Sequence, residues 1–202
     1  MNLNSPPDQP LAGFIEPVHD AQRVFRTILD AMSHPGKIIS LEDLPESPYP
    51  LHPVSTAICL SLVDHETPVW GDAEIAVSGQ AMTHLKFHCG CPVTADPKEA
   101  RTILISQPQD LRSFDQFCIG TDERPDLSAM VIVQVDSLVS GSGVKLTGPG
   151  IRGTRKLKVE GVGDTFWQSV IDNNKLFPRG VDLILTTPTA LVCLPRSTEV
   201  GV

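Results

Sequence analysis

The sequence predicts an α/β fold, with three layers (α/β/α) around a mixed sheet, and three observations carry that prediction. Val18, Ala21, Val24, Phe25, Ile28, Leu29 and Met32 recur at spacings of three and four, the stripe of a helix laid on a core. Met130–Val135 (MVIVQV) is an almost continuous β-branched run, which implies a strand buried on both faces of a sheet. Helix-like and strand-like segments also alternate along the whole length, with no linker, internal repeat or low-complexity block beyond a polar start. The 202 residues are therefore read as a loose N-terminal tail, residues 1–14, and a single α/β domain, residues 15–202.

The first helix ends at Pro35-Gly36. Prolines 45, 48, 50 and 53 make the next passage irregular, and Ser55–Asp64 (STAICLSLVD) is expected to be a compact apolar helix. Thr67–Trp70 is expected to be extended, because Pro68 pushes the preceding threonine out of the helical region. Leu85–His88 and Thr102–Ser106 alternate as half-buried strands do, and Leu111–Phe117 reads as a short helix. After the MVIVQV strand, Gly141 and Gly143 mark a turn, with Val144–Thr147 pairing back or continuing the sheet. Thr165 and Gln168 have capping-box spacing ahead of a helix bearing Phe166, Trp167, Val170 and Ile171, bounded by Asn173, Asn174 and Pro178. Val181–Thr186 and Ala190–Pro195 are two further strands across a proline-containing turn.

Composition narrows the function classes. Lys plus Arg number 16 against 24 Asp plus Glu, a net charge of −8, and the basic residues are scattered. That disfavours nucleic acid, whose backbone calls for clustered positive charge, but leaves room for a small anionic ligand in a local pocket. No segment approaches the roughly 20 apolar residues of a membrane span. The start, MNLNSPPDQP, lacks the basic and apolar regions of a signal peptide. Five cysteines, an odd number in a chain large enough to fold without staples, suit reduced thiols in the cytoplasm.

Several groups of residues offer chemistry, each beside a plainer reading. His84, His88, Cys89 and Cys91 are zinc-ligand types, but C-x-C without a second cluster is not the usual spacing, and strand alternation would turn the thiols away from the imidazoles. The plainer reading is a strand end with buried thiols. Leu146–Ile151 (LTGPGI) is a glycine-framed turn able to cradle an oxyanion, with Arg152, Arg155, Lys156 and Lys158 nearby, or else a simple turn beside a solvated loop. Asp64, His65 and Glu66 form either an acid/base cluster or a helix cap and turn. Asp182, entering an apolar strand, needs a partner if buried, and Arg179, Arg196 or a backbone turn can supply one. Arg26 reads in the same way, as an anchor for the first helix or a ligand contact. No nucleophile elbow is present.

The opening HDAQRVFRTILDAMSHPG, through Gln22, Phe25, Arg26, Ala31, Met32, Ser33, Pro35 and Gly36, resembles the signature of the PhnH family, which belongs to the bacterial carbon-phosphorus lyase system. The resemblance continues in family order through LSLVDHETPVW (60–70), LKFHCGCPV (85–93), the GT of IGTDERPD (119–126), LTGPGI (146–151), FPRGVDLILT (177–186) and LVCLPRSTEV (191–200). It departs at Cys89 and Cys91, where other small or polar residues can stand in the family. The resemblance implies a reduced pyridoxal-phosphate-dependent transferase fold without the cofactor, and none of the seven lysines matches a Schiff-base motif. It implies partnership with the G, I and J subunits of the carbon-phosphorus lyase system, and a homodimer when isolated. The complex would transfer the ribose triphosphate moiety of a nucleoside triphosphate to an alkylphosphonate with release of the base, the I component being the seat of the displacement. No activity is then expected of this chain alone. A pocket at an interface within the complex would be framed by Asp64, Thr67, His88, Gly148, Pro149, Gly150, Asp182 and Arg196. The competing readings are a purely structural adaptor and an independent pyridoxal-phosphate enzyme.

Overall fold

A computed structural model describes residues 11–201. In chain order these form α1 (Pro17–Ser33), β1 (Ile39–Ser40), α2 (Pro53–Leu62), β2 (Val69–Gly71), α3 (Ala73–Ser78), α4 (Gln80–Cys89), β3 (Thr102–Ile105), β4 (Met130–Gln134), β5 (Ser137–Thr147), β6 (Arg155–Glu160), α5 (Asp164–Asn174), β7 (Asp182–Thr186), β8 (Ala190–Leu194) and β9 (Glu199–Gly201). Six strands make one mixed sheet, in the order β1-β8-β7-β4-β3-β2, and β6-β5-β9 make a second, antiparallel sheet. In the main sheet β2, β3, β4 and β7 run parallel, while β8 runs antiparallel to both of its neighbours, β7 and the edge strand β1.

Strand alternation divides the interior into two cores that share this sheet. Leu104, Ile132, Ile184, Leu191 and Cys193 point to one face, where they meet residues of α1 to α4 such as Val24, Ile28, Ile58, Ile75 and Leu85. Their neighbours Ile103, Val131, Val133, Leu183, Leu185 and Val192 point to the other, against Phe166 and Val170 of α5, Phe114 and Phe117 of a loop, and Leu146 and Leu157 of the second sheet. Helices therefore lie on both faces of a mixed sheet, but one face is shared between a single helix and a small antiparallel sheet.

Most expected elements are present, and the departures have local causes. Only part of the first helix's apolar stripe is buried: Val24, Ile28 and Ala31 pack inward, whereas Val18, Phe25 and Leu29 are 79%, 44% and 52% exposed. Arg23, not Arg26, anchors this helix, through Asp20 and the carbonyls of Glu42 and Asp43. The expected strand Leu85–His88 is helical. Gly79 and Gly90, both left-handed with φ of 66° and 67°, bracket α4 and end the helices there. The expected helix Leu111–Phe117 is irregular chain, its three-residue apolar spacing serving to insert Phe114 and Phe117 beneath the sheet. Thr165 lies inside α5 and Gly163 is the N-cap, so the capping box is not formed.

Gly141 and Gly143 do not reverse the chain. They form an irregularity between Ser140 and Val144 that lets β5 continue along β6. At Gly143 (φ 82°) an added Cβ would lie 2.3 Å from the Leu157 carbonyl oxygen, so the close approach requires glycine. The basic segment expected to be a loop is largely β6 itself. Residues 1–10 of the expected tail lie outside the described residues. Leu11–Phe14 are docked: the His88 Nε2 donates to the Leu11 carbonyl at 2.9 Å, Gly13 rests on the His88 ring, and Phe14 packs on the core.

The helical form of α4 changes the reading of its histidines. His84 and His88, one turn apart, pack together with ring centroids 4.4 Å apart and planes tilted by 50°. His84 is 1% exposed, and neither ring nitrogen has a hydrogen-bond partner among the described residues. Burial, with His88 beside it, lowers its pKa from 6.5 to about 4. Burial also raises the Cys89 thiol to about 12 and moves Cys59 and Cys91 upward. These thiols stay protonated and pack into the core, and among the described residues no group of three His, Cys, Asp or Glu is placed to hold a metal ion.

The depressed His84 pKa has a definite sign. The unfolded chain binds a proton near pH 6.5 that the folded chain refuses until about pH 4, so stability is lost as pH falls through that window and His84 contributes no slope above it. His84→Leu is expected to remove about 2–3 kcal/mol of the loss between pH 7 and pH 4.5, measured by urea unfolding at both values. Identical pH slopes in the two proteins would refute the assignment.

Candidate functional site

The residues singled out in the sequence are held in separate places. Asp182 opens β7 and Arg196 follows β8, and the antiparallel pairing that sets Leu183 opposite Leu194 brings the two side chains together. Arg196 donates to Asp182 from its backbone N at 2.9 Å, from Nε at 3.2 Å and from Nη2 at 2.5 Å. Its guanidinium also donates to the Pro125 carbonyl and the Ser128 hydroxyl. This is a bidentate pair that ties the loop before β4 to the amino ends of the parallel strands. Arg179 is engaged with Asp122 instead, at 3.1 Å.

Gly148, Pro149 and Gly150 form a turn pressed between two chain segments. At Gly148 (φ 124°) an added Cβ would lie 2.8 Å from the Ser197 carbonyl oxygen, and at Gly150 (φ 80°) one would lie 2.3 Å from that of Ser33. The Ile151 N–H bonds back to the Gly148 carbonyl at 3.2 Å. Arg155 lies against the same joint and donates to the His34 and Pro35 carbonyls at 2.9 and 2.6 Å. The turn thus fastens the second sheet to the end of α1, and the glycines are spent on close packing rather than on an open anion nest.

Asp64 and Thr67 meet in the loop after α2. The Asp64 carboxylate accepts from the Glu66 N–H at 2.9 Å and the Thr67 hydroxyl at 2.8 Å, and these bonds hold its pKa below the ordinary value. It closes a turn into β2. β4 and β3 stand between β7 and β2 in the sheet, so Val69, where the chain from the Asp64 turn enters β2, lies about 14 Å from Asp182 at ~4.8 Å per strand. His88 lies on α4, so within this chain the eight residues are held by separate sets of partners.

A different cleft opens at the carboxyl ends of the parallel strands. It has a volume of about 420 Å³ and is lined by His52, Ser106, Gln107, Pro108, Gln109, Gln134, Val135, Asp136 and Gly161. Ser106 and Gln107 follow β3, Gln134 ends β4, and His52 caps the start of α2. Gln134, buried, accepts from the His52 N–H and donates to the Pro50 carbonyl at 2.9 Å, which fixes the approach of that loop. Asp72, the N-cap of α3, accepts from the Ser106 and Gln107 N–H groups and the Ser106 hydroxyl, and so holds the end of β3. Burial lowers the pKa of the His52 imidazole, while a hydrogen bond to the Thr186 backbone and the Asp136 charge act in the opposite sense. Its Nδ1 is buried without a partner among the described residues.

None of these lining residues was singled out in the sequence. The one available signal was Gln134, an amide inside the apolar run MVIVQV, where a buried polar group must have a partner. The other contributors come from loops 25 or more residues away from it, or from the segment just after β4, brought together only by the sheet.

The family model described as bacterial phosphonate metabolism protein (PhnH) matches residues 12–201. The chain is 38% identical over 186 residues to the alpha-D-ribose 1-methylphosphonate 5-triphosphate synthase subunit PhnH of Rhizobium meliloti strain 1021, covering 92% of each. It is 29% identical over 180 residues to HtxG of Stutzerimonas stutzeri, provisionally named a C-P lyase subunit protein, covering 89% of this chain and 85% of that one. With the match running from the docked segment before α1 through to β9, the chain belongs to the PhnH family of bacterial phosphonate metabolism proteins.

Proposed function

We propose that this chain is a non-autonomous subunit of a carbon-phosphorus lyase core complex in phosphonate catabolism. In that complex it supports transfer of the ribose triphosphate moiety of a nucleoside triphosphate to an alkylphosphonate, with release of the base. The observation that carries the reading is family membership over nearly the whole chain, together with the name of the Rhizobium relative as a synthase subunit. In this reading the partners are the G, I and J subunits, the isolated chain is a homodimer in the cytoplasm, and the chain is a single domain because its two cores share one sheet.

The family-pattern residues favour support over catalysis. Asp182, Arg196, the Gly148–Gly150 turn and Asp64 all have structural partners within the chain. Pyridoxal phosphate is not part of the proposal. The cleft at the carboxyl ends of the strands offers neither a Schiff-base lysine nor a cation for the phosphate among its described residues, and Lys37, Lys158 and Lys175 sit in surface ion pairs with Asp30, Glu160 and Asp172. In this reading the fold is a reduced relative of the pyridoxal-phosphate transferases without the cofactor.

The exposed side of α1 suits a partner. Ile15, Val18, Phe25 and Leu29 place large apolar side chains in solvent on and just before one helix, a ridge that association would cover.

Two outcomes are expected. Co-expression with the G, I and J subunits, then affinity capture and sizing, should return a stoichiometric assembly, and Phe25→Asp with Leu29→Asp should abolish association without changing the far-ultraviolet circular dichroism. A wild-type chain that elutes alone would count against the reading. Arg196→Ala should cost about 2–3 kcal/mol, because it strands a partly buried carboxylate, and lower the melting temperature by roughly 4–10 °C. An unchanged melting temperature with lost function in the assembled complex would instead make Arg196 a ligand contact.

A further inference from the structure

A pocket of about 350 Å³ opens at the amino ends of β3 and β4, the opposite end of these strands from the cleft lined by Gln134 and Asp136. The Gly120-Thr121 pair of the family pattern shapes its wall. Gly120 (φ 75°) sits where an added Cβ would lie 3.1 Å from the Arg124 and Pro125 carbonyl oxygens, and the Thr121 hydroxyl accepts from the Arg124 N–H at 3.0 Å. The Cys118 carbonyl accepts from the Ala129 N–H at 2.7 Å, and that of Ile119 from the Gly180 N–H at 2.9 Å. The wall is thereby fixed to the chain entering β4 and to the chain entering β7.

Arg101, immediately before β3, is held as firmly. Its N–H donates to the Pro68 carbonyl at 2.8 Å, and its carbonyl accepts from the Met130 N–H at 2.9 Å. Within the guanidinium, Nη1 donates to the Leu127 carbonyl and, at 3.0 Å, to the Cys118 sulfur, and it alone is engaged among the described residues. The Nε–Nη2 edge, with its two parallel N–H donors, is left open. Neither Arg101 nor Lys98, which lines the same pocket, forms an ion pair among the described residues. Asp126, whose pKa is lowered chiefly by its bonds from Arg124 and less by the Arg101 charge, is held by Arg124 at 3.1 and 2.9 Å.

The walls select the class of ligand. Lys98 and Arg101 are the cations of the lining and Asp115 its carboxylate, which leaves the pocket a single positive charge. Phe117 is buried and Ile119 and Leu127 are half-buried, so much of the remaining wall is apolar. A carboxylate carries one charge and matches the open guanidinium edge with both oxygens. A doubly charged phosphoryl group exceeds the pocket's charge and brings further oxygens against an apolar wall. The volume, at the small end of ligand sites, holds a short aliphatic chain or one ring beside the carboxylate.

We propose that this pocket binds a small organic carboxylate, its oxygens on the Nε–Nη2 edge of Arg101, Lys98 at the rim and its apolar part against Ile119 and Leu127. The inference rests on this pocket and not on membership of the complex.

Protein-observed NMR and calorimetry on the full chain test it, with hexanoate, benzoate, hexanamide, methylphosphonate and inorganic phosphate as probes. Hexanoate or benzoate should bind and shift the Ile119 and Leu127 resonances, hexanamide should bind at least tenfold more weakly, and equal concentrations of methylphosphonate or phosphate should displace neither carboxylate. Lys98→Gln should weaken binding about threefold, the weight of an exposed charge pair, and Asp115→Asn should strengthen it by a similar factor. Arg101→Gln should abolish binding, and where that variant does not fold, the two exposed rim positions decide. Absence of carboxylate binding, equal binding of hexanamide, displacement by methylphosphonate or phosphate, or an affinity unchanged in both rim variants would overturn the assignment.

Discussion

The central strands are buried on both faces, and that constraint organises the molecule. In β3, β4 and β7 every interior position is apolar apart from the Thr, Gln and Asp that end or begin a strand, because a polar group between two cores has no water to bond. Polar chemistry is thereby expelled to the strand ends, and the two ends are treated differently. The amino end of β7 is closed by Asp182 and Arg196, whose bonds also secure the loop from Pro125 to Ser128. The carboxyl ends are held apart by Gln134 and Asp72, which fix neighbouring loops without filling the space between them.

The second sheet depends on the same logic of close contact. Leu146 and Leu157 are fully buried beneath the main sheet, and the joint that holds them there consists of glycine turns and backbone carbonyls. Gly36, Gly148 and Gly150 let the end of α1, the turn after β5 and the segment after β8 approach within van der Waals distance, and Arg155 saturates the carbonyls left at the end of α1. The pieces SHPG, LTGPGI and LPRST, distant in sequence, are neighbours in space here. Their spatial convergence explains why they are distinctive: backbone-to-backbone contact tolerates no Cβ, whereas an apolar core accepts many substitutions.

Local signals in the sequence served the elements that stand alone and failed those set by distant contacts. The helix of α1 and the strands β3, β4, β7 and β8 have periodicities that need no partner to interpret. Leu85–His88 alternates like a strand, yet the positive-φ glycines on either side make a short helix of it, and alternation over four residues cannot register that. Leu111, Phe114 and Phe117 have helical spacing, but their side chains are spaced to fill a core shared with Trp70 and Phe166. For the site, the paired carboxylate Asp182 was legible because an acid at the start of an apolar strand demands a partner. The cleft was not, since Ser106–Gln109, His52 and Asp136 come from three loops with no shared pattern, and only the order of strands assembles them.

The apolar ridge and the strand-end cleft occupy separate surfaces of the chain. The apolar ridge of α1 faces outward on the helical side, while the cleft lies at the carboxyl ends of strands in the shared sheet, so a partner on the ridge need not cover the cleft. The groups lining that cleft are neutral apart from Asp136, and the loops that carry them are fixed by buried hydrogen bonds before any ligand arrives. Among the described residues the cleft carries no lysine or arginine, and the Ser106 hydroxyl in its wall is held by the Asp72 carboxylate.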